Sequence, residues 1–239
     1  MRRFIRTEYL PAVIALGCLL MPCACSVEVT RDAEAVVLEA EAGAALEKSG
    51  GSEPLQRDAR VRVGEVLSTS SNAQLAVSLL PGALAEIAGE THLRMDKLRV
   101  TKNGVRVEEA MRREIHVTLL NGSLSGCVEF ETEQSPVSVA SPGGELSVLS
   151  PALFRVEAGG ERTRVICARG SVQFRPSDGS AALTITGPAV REWPSPPGEA
   201  IPAAFDAAAT KEIENLQELE RKLLGLQSRS RLAPYPWRQ

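Results

Sequence analysis

IHVTLLNGSLSGCVEF, residues 115–130, is the segment on which the fold turns. Ile115 to Leu120 is a β-branched and leucine-rich run of strand length. Asn121-Gly122 follows it, and both residue types tolerate the positive φ that tight two-residue hairpins require. Leu124 to Phe130 then resumes an apolar pattern. The segment reads as two strands folded back on each other about Asn121-Gly122.

The same pattern extends outward in both directions. Asn103-Gly104 separates Leu98–Val100 from Val105–Val107 as a second hairpin signal. Further upstream, GEVLSTSSNAQLAVSLLPG (Gly64 to Gly82) sets a turn cluster before the apolar run Leu75–Leu80 and closes on Pro81-Gly82. Val61–Val63, Val66–Leu67, Leu84–Ile87 and His92–Met95 are further short runs. Downstream, Val137–Ala140, Leu146–Leu149, Leu153–Glu157, Thr163–Ala168 and Ser171–Phe174 each end at Gly or Pro or at a polar turn. Short strands with turn signals at this spacing predict an all-β sandwich or barrel-like domain. Residues 27–46 admit two readings: VEVT and AVVLEA as strands, or a helix favoured by Ala, Glu and Leu. GGSEPLQRD, after them, reads as a loop.

The ends differ from this body. Arg2, Arg3 and Arg6 precede LPAVIALGCLLMP, the charged-then-apolar pattern of a signal peptide over residues 1–26. A retained anchor is the alternative, but the run is shorter than the about 20 residues a spanning helix needs. Ala24-Cys25-Ser26 resembles a signal-peptidase site, while Cys25 or Cys18 could instead accept a diacylglyceryl group, as in a lipoprotein. Pro22 ahead of Cys25 and Ala15 ahead of Cys18 depart from the lipid-acceptor pattern. The β-domain is expected over residues 27–190, and a Pro-rich linker over 191–202. An amphipathic helix (203–231) follows, with Asp206 as N-cap, and then a basic tail (232–239). Ile213, Leu216, Leu219, Leu223 and Leu226 recur at steps of three and four, making one apolar stripe. That stripe suits docking on the β-domain, contact with a partner, or self-association into a homo-oligomer.

Composition narrows the chemistry. Net charge is −3 with both signs interspersed, and aromatics are 4%, so neither a basic field nor a stacking platform recommends nucleic acid. Cys127 and Cys167, on separate strands of an exported chain, fit either a disulfide or two small buried side chains. His92 and His116 lack the further ligands of a metal site. Glu108-Glu109 reads as a solvated hairpin face, and SPGGE (141–145) as a β-turn outside any phosphate-loop setting. No catalytic group, metal or cofactor is expected.

In order and spacing, these blocks resemble a FecR-type domain over roughly residues 28–190. Gly64, Leu67, Thr69, Asn72, Ala73 and Leu75 fit the family's first turn and strand, with Glu65 in place of Asp and Pro81-Gly82 in place of Asp-Gly. LLNGSLSGCVEF matches a later strand and turn. Ser141, Pro142, Gly144, Phe154, Val156, Thr163, Val165, Gly170 and Val172 fit the second half, with Ser150-Pro151 where Gly-Thr is usual. The resemblance implies an exported all-β module of a Gram-negative-type envelope, in the periplasm or at the outer membrane. The founding type controls a sigma factor through a cytoplasmic helical part. About nine residues precede the apolar segment here, so anti-sigma activity is not expected. The expected role is non-enzymatic: binding, scaffolding or sensing through an envelope protein partner, with the membrane reached by an N-terminal lipid. Self-assembly through the C-terminal helix is the alternative.

Overall fold

Gly122 lies inside a strand, not at a hairpin turn. In the computed structural model, which describes residues 28–48, 50–103, 110–160, 162–194, 201–202 and 207–230, one strand runs without a break from Ala110 to Val128. At Gly122 the backbone takes φ +93°, and the strand leaves one sheet and enters another. The positive φ that Asn-Gly signals is spent on a corner where a strand changes sheets. The hairpin reading of residues 115–130 is corrected accordingly.

The two sheets are the faces of a flattened, barrel-like sandwich joined by strand pairing at β10. Face A runs in spatial order through β4 (Gly51–Pro54), β3 (Ala44–Lys48), β6 (Val66–Thr69), β9 (His92–Asn103), the first part of β10 (Ala110–Val128), β11 (Val137–Ser141), β12 (Gly144–Val148), β15 (Ser171–Pro176) and β16 (Leu183–Thr186). β1 (Glu28–Asp32) lies beside the far end of β9. Face B runs through β5 (Arg60–Val61), β2 (Ala35–Ala40), β7 (Leu75–Leu80), β8 (Ala83–Ile87), the second part of β10, β13 (Ala152–Gly159), β14 (Arg162–Arg169), β17 (Ala189–Trp193) and β18 (Ile201–Pro202). β10 therefore sits between β9 and β11 in one face and between β8 and β13 in the other. The expected all-β domain followed by a C-terminal helix is what forms: α1 spans Ala207–Arg229.

Burial explains the sequence patterns. One core fills the space between the faces, with Leu67, Leu93, Ile115, Leu124, Phe154 and Phe174 among its members. A second lies between the outer side of face B and α1, where Leu38, Leu84, Leu153 and Ile166 meet Leu216 and Leu223. Face B is thus covered on both sides, so β7 (LAVSLL) and β8 (ALAEI) are buried at every position and cannot alternate. β12 and β15 have one solvated side and do alternate. Each large aliphatic chain buried in this way contributes about 1.5–3 kcal/mol.

One open reading is settled, and further boundaries change. The strand reading of residues 27–46 wins over the helix, because β2 gains partners on both edges, β5 and β7. GGSEPLQRD is a loop only in its second half, since Gly51–Pro54 pairs with β3. The β-domain does not stop at 190: Arg191–Trp193 belong to β17, and Ile201–Pro202 pair back on it. The linker therefore begins and ends as strand. Residues 1–26 with Cys18 and Cys25, the turn at Gly104, Val105–Val107, Glu108-Glu109, Asp206 and the tail 232–239 lie outside the described residues.

Candidate functional site

The C-terminal stripe is occupied by its own chain. Ile213, Leu216, Leu219 and Leu223 are buried in the second core, and Leu226 packs partly buried beside them. Three ionic clips hold α1 in place. Arg164, on β14, binds Glu212 through two guanidinium nitrogens at 2.9 and 2.7 Å. Arg169 binds Glu220 in the same forked way at 3.1 and 2.7 Å. Lys222 reaches Glu39 at 3.3 Å and the buried Glu86 at 3.6 Å. Burial pushes the Glu86 carboxyl above its ordinary range, against the pull of Lys222 and Arg155. The reading of this stripe as a partner contact is corrected: its apolar side faces β14, β13, β8 and β2.

The two cysteines are free thiols on opposite sides of face B. Cys127 lies in the core under the helix and Cys167 in the core between the faces. β13 stands between their strands, with Leu153 opposite Cys127 and Phe154 opposite Cys167. Two strand spacings of about 4.8 Å each exceed the roughly 7 Å limit between the Cα atoms of a bridge. The disulfide that an even count allows is not made. Cys127 Sγ donates to Glu220 Oε1 at 3.4 Å, and Cys167 Sγ to the Arg169 carbonyl at 3.4 Å. Burial first, and Glu220 second, pushes the Cys127 thiol up to about 12, and burial takes Cys167 up to about 11. Neither is poised as a nucleophile.

The outer side of face A presents a different surface. Its register aligns Lys97, His116, Ser138, Ser147, Gln173 and Thr184 across six neighbouring strands. The next row along holds Arg94, Thr118, Ala140, Glu145 and Arg175. Short hydroxyl side chains sit here among longer polar ones, and charges of both signs dot the surface. His116 Nδ1 is 2.7 Å from Ser138 Oγ, and its Nε2 is 3.2 Å from Glu114, which also accepts from Lys97 Nζ at 3.0 Å. His92 instead pairs with Glu47 at 3.1 Å. The histidines are five positions apart along β10, since Asn121 faces His92, so they share no centre. Among the described residues no group of three or more His, Cys, Asp or Glu is placed to hold a metal.

Cavities open among the described residues. A polar one of about 570 Å³ lies at the β13–β14 turn, between Glu157, Arg162, Arg164 and Trp193. A smaller, apolar one of about 300 Å³ opens where β1 passes into β2. Sequence reasoning singled out neither, because each takes shape only once strand pairing brings its lining together.

No protein-family model matches the chain, and no curated protein matches it. Two crystal structures of a Parabacteroides distasonis protein, provisionally described as an anti-sigma factor, are similar to it in part. They are 17% and 16% identical, with TM-scores of 0.41 and 0.40. Each likeness covers 57% of this chain and 57% of the other, little more than half the length of either.

Proposed function

We propose that this protein is a non-catalytic binding module of the bacterial cell envelope that acts through protein contacts on the outer side of face A. The observation that carries this reading is the asymmetry between the faces. Face B is sealed by the chain's own helix, while the aligned row from Lys97 to Thr184 is left uncovered by any described element. A polar, mixed-charge sheet face suits another protein surface better than a small molecule, which seeks a concave and mostly apolar site.

Two further observations support the reading. Several ionisable groups of the described barrel hold structure together, as the clips on α1 illustrate. One residue of the FecR-like pattern, Gly170, also supports this reading. Gly170, at φ +80°, lets the Pro151 carbonyl approach to where a Cβ would be 2.1 Å away. Beside it, Ser150 Oγ accepts from the Ser171 amide at 2.9 Å. That bond gives Ser150-Pro151 its own turn in place of the family's Gly-Thr. The module is FecR-like in this sense, and export through residues 1–26, with Cys25 or Cys18 as lipid acceptor, belongs to the same proposal.

A photo-crosslinking residue placed at Glu145, on face A, in intact cells should give one discrete protein adduct. The same residue at Glu218, on the exposed side of α1, should give none. Ser147→Arg should abolish the Glu145 adduct without lowering the melting temperature. Adducts from both positions, or from neither, would overturn the assignment of face A. Intact-mass measurement on protein from the envelope tests export: a diacylglyceryl increment on a chain beginning at Cys25 or Cys18 marks a lipoprotein, and a mass beginning at Met1 refutes cleavage.

A further inference from the structure

The apolar cavity of about 300 Å³ lies at the seam where the chain crosses from face A to face B. The crossing is pinned by the Ala33 amide, which donates to the Leu98 carbonyl at 2.8 Å. Val36, Leu79 and Leu80 supply walls from face B, and Val100 a wall from face A. Leu79 and Leu80 are adjacent in sequence, yet both join the core between the faces. They do so because the β7–β8 register slips between Ser78 and Leu80, a bulge that turns a second leucine inward. Ser78, also in the lining, is buried, and its hydroxyl has no hydrogen-bond partner.

The rim is charged, and its charges are unequally engaged. Asp32 is held by Arg99 at 2.9 Å, and Glu34 by Arg60 at 3.1 Å and Arg62 at 2.8 Å. Both rim carboxylates are therefore neutralised from outside the cavity. Arg31, on the same rim, is exposed and takes part in no ion pair among the described residues, and Lys102 stands near it. The result is an apolar slot with a positive mouth. Its volume is at the bottom of the range for small-molecule sites, which suits one narrow chain rather than a ring system.

We propose that this seam binds a single aliphatic chain headed by a carboxylate, a medium-chain fatty acid, with the chain against Leu79, Leu80 and Val100 and the carboxylate at Arg31. A guanidinium with no competing partner accommodates a carboxylate in a forked pair. The site is separate from face A and does not depend on the protein contact proposed there.

Calorimetric titration of the full mature chain with decanoate, below its micelle concentration, tests this. Decanoate should bind with one-to-one stoichiometry, and decanol and decyltrimethylammonium more weakly by about tenfold or more. Arg31→Glu, at an exposed position, should weaken decanoate by about tenfold and leave decanol unchanged. Ala33→Leu, which narrows the mouth from a half-buried position, should remove binding of both while the thermal melt is retained. No decanoate binding, equal binding of all three amphiphiles, or binding that survives Ala33→Leu in a folded protein would each overturn the proposal. Tighter binding of decyl phosphate than of decanoate would overturn the carboxylate assignment.

Discussion

The Thr91 hydroxyl fills the space that a side chain at position 122 would need: a Cβ on Gly122 would lie 2.1 Å from Thr91 Oγ1 and 2.5 Å from Thr91 Cα. Thr91 is fully buried, and its hydroxyl accepts from the Ser123 amide at 2.8 Å. Asn121 Nδ2 adds a bond to the Glu90 carbonyl at 2.6 Å. The corner of β10 is thus locked from both sides.

Gly122→Ala combines a left-handed backbone with an overlap that the main chain of Thr91 cannot relieve. It should cost about 2–4 kcal/mol in urea denaturation. Gly179, at φ +82° with open space around it, is the control, and Gly179→Ala should cost only about 1 kcal/mol. Equal costs would mean that the corner is not tightly packed.

The docked stripe makes a second prediction. Leu216→Ala or Leu223→Ala should each destabilise the folded chain by about 2–4 kcal/mol through cavity formation. The molecular mass in sedimentation should stay unchanged, since both side chains face the chain's own sheet. Loss of oligomer mass without loss of stability would place the stripe at an interface between copies instead.

Glu86 makes the stability of the helix–sheet contact depend on pH. Its folded pKa is raised above the ordinary value of 4.5, with burial as the first cause. The native state then holds this proton more tightly than the unfolded chain. The stabilisation it supplies is complete below the unfolded pKa and is lost as pH rises through the folded one. Glu86→Gln should therefore flatten the pH profile on the alkaline side of 4.5, measured as urea midpoint against pH. A wild-type profile that climbs more steeply than the variant's over that window would refute the burial account.

The thiols give a chemical test. With Cys127 at about 12 and Cys167 at about 11, iodoacetamide at pH 8 should leave both unmodified in the folded protein. Both should react promptly in urea, with no reductant needed. A requirement for reductant would show a bridge, and rapid labelling of the native chain would show that α1 opens readily over Cys127.

Much of the barrel is legible in the sequence because its strands are short and Gly, Pro and polar turns mark their ends, as at Pro81-Gly82 after β7 and Gly170 before β15. The role of Asn121-Gly122 is not, since a hairpin and a sheet-to-sheet corner ask the same φ of Gly122. What chooses between them is Thr91, remote in sequence. The stripe Ile213–Leu226 is legible as a stripe, but its destination depends on Leu38, Leu84 and Ile166, which read as ordinary strand residues. The polar row on face A becomes visible only with the register, because each strand contributes a single position. The seam cavity depends on a bulge at Leu79 that LAVSLL does not announce.

The passage of β10 through both faces has a consequence for how the protein is made. Among the described strands, none of β1–β9 pairs with any of β11–β18, and the two sets meet through β10 alone. A chain emerging from the ribosome therefore exposes the open edges of β8 and β9 until residues 110–128 have followed, an interval in which unpaired strands invite association with other chains. The moment of greatest risk comes mid-synthesis, and it ends when a single nineteen-residue strand arrives to close both edges at once.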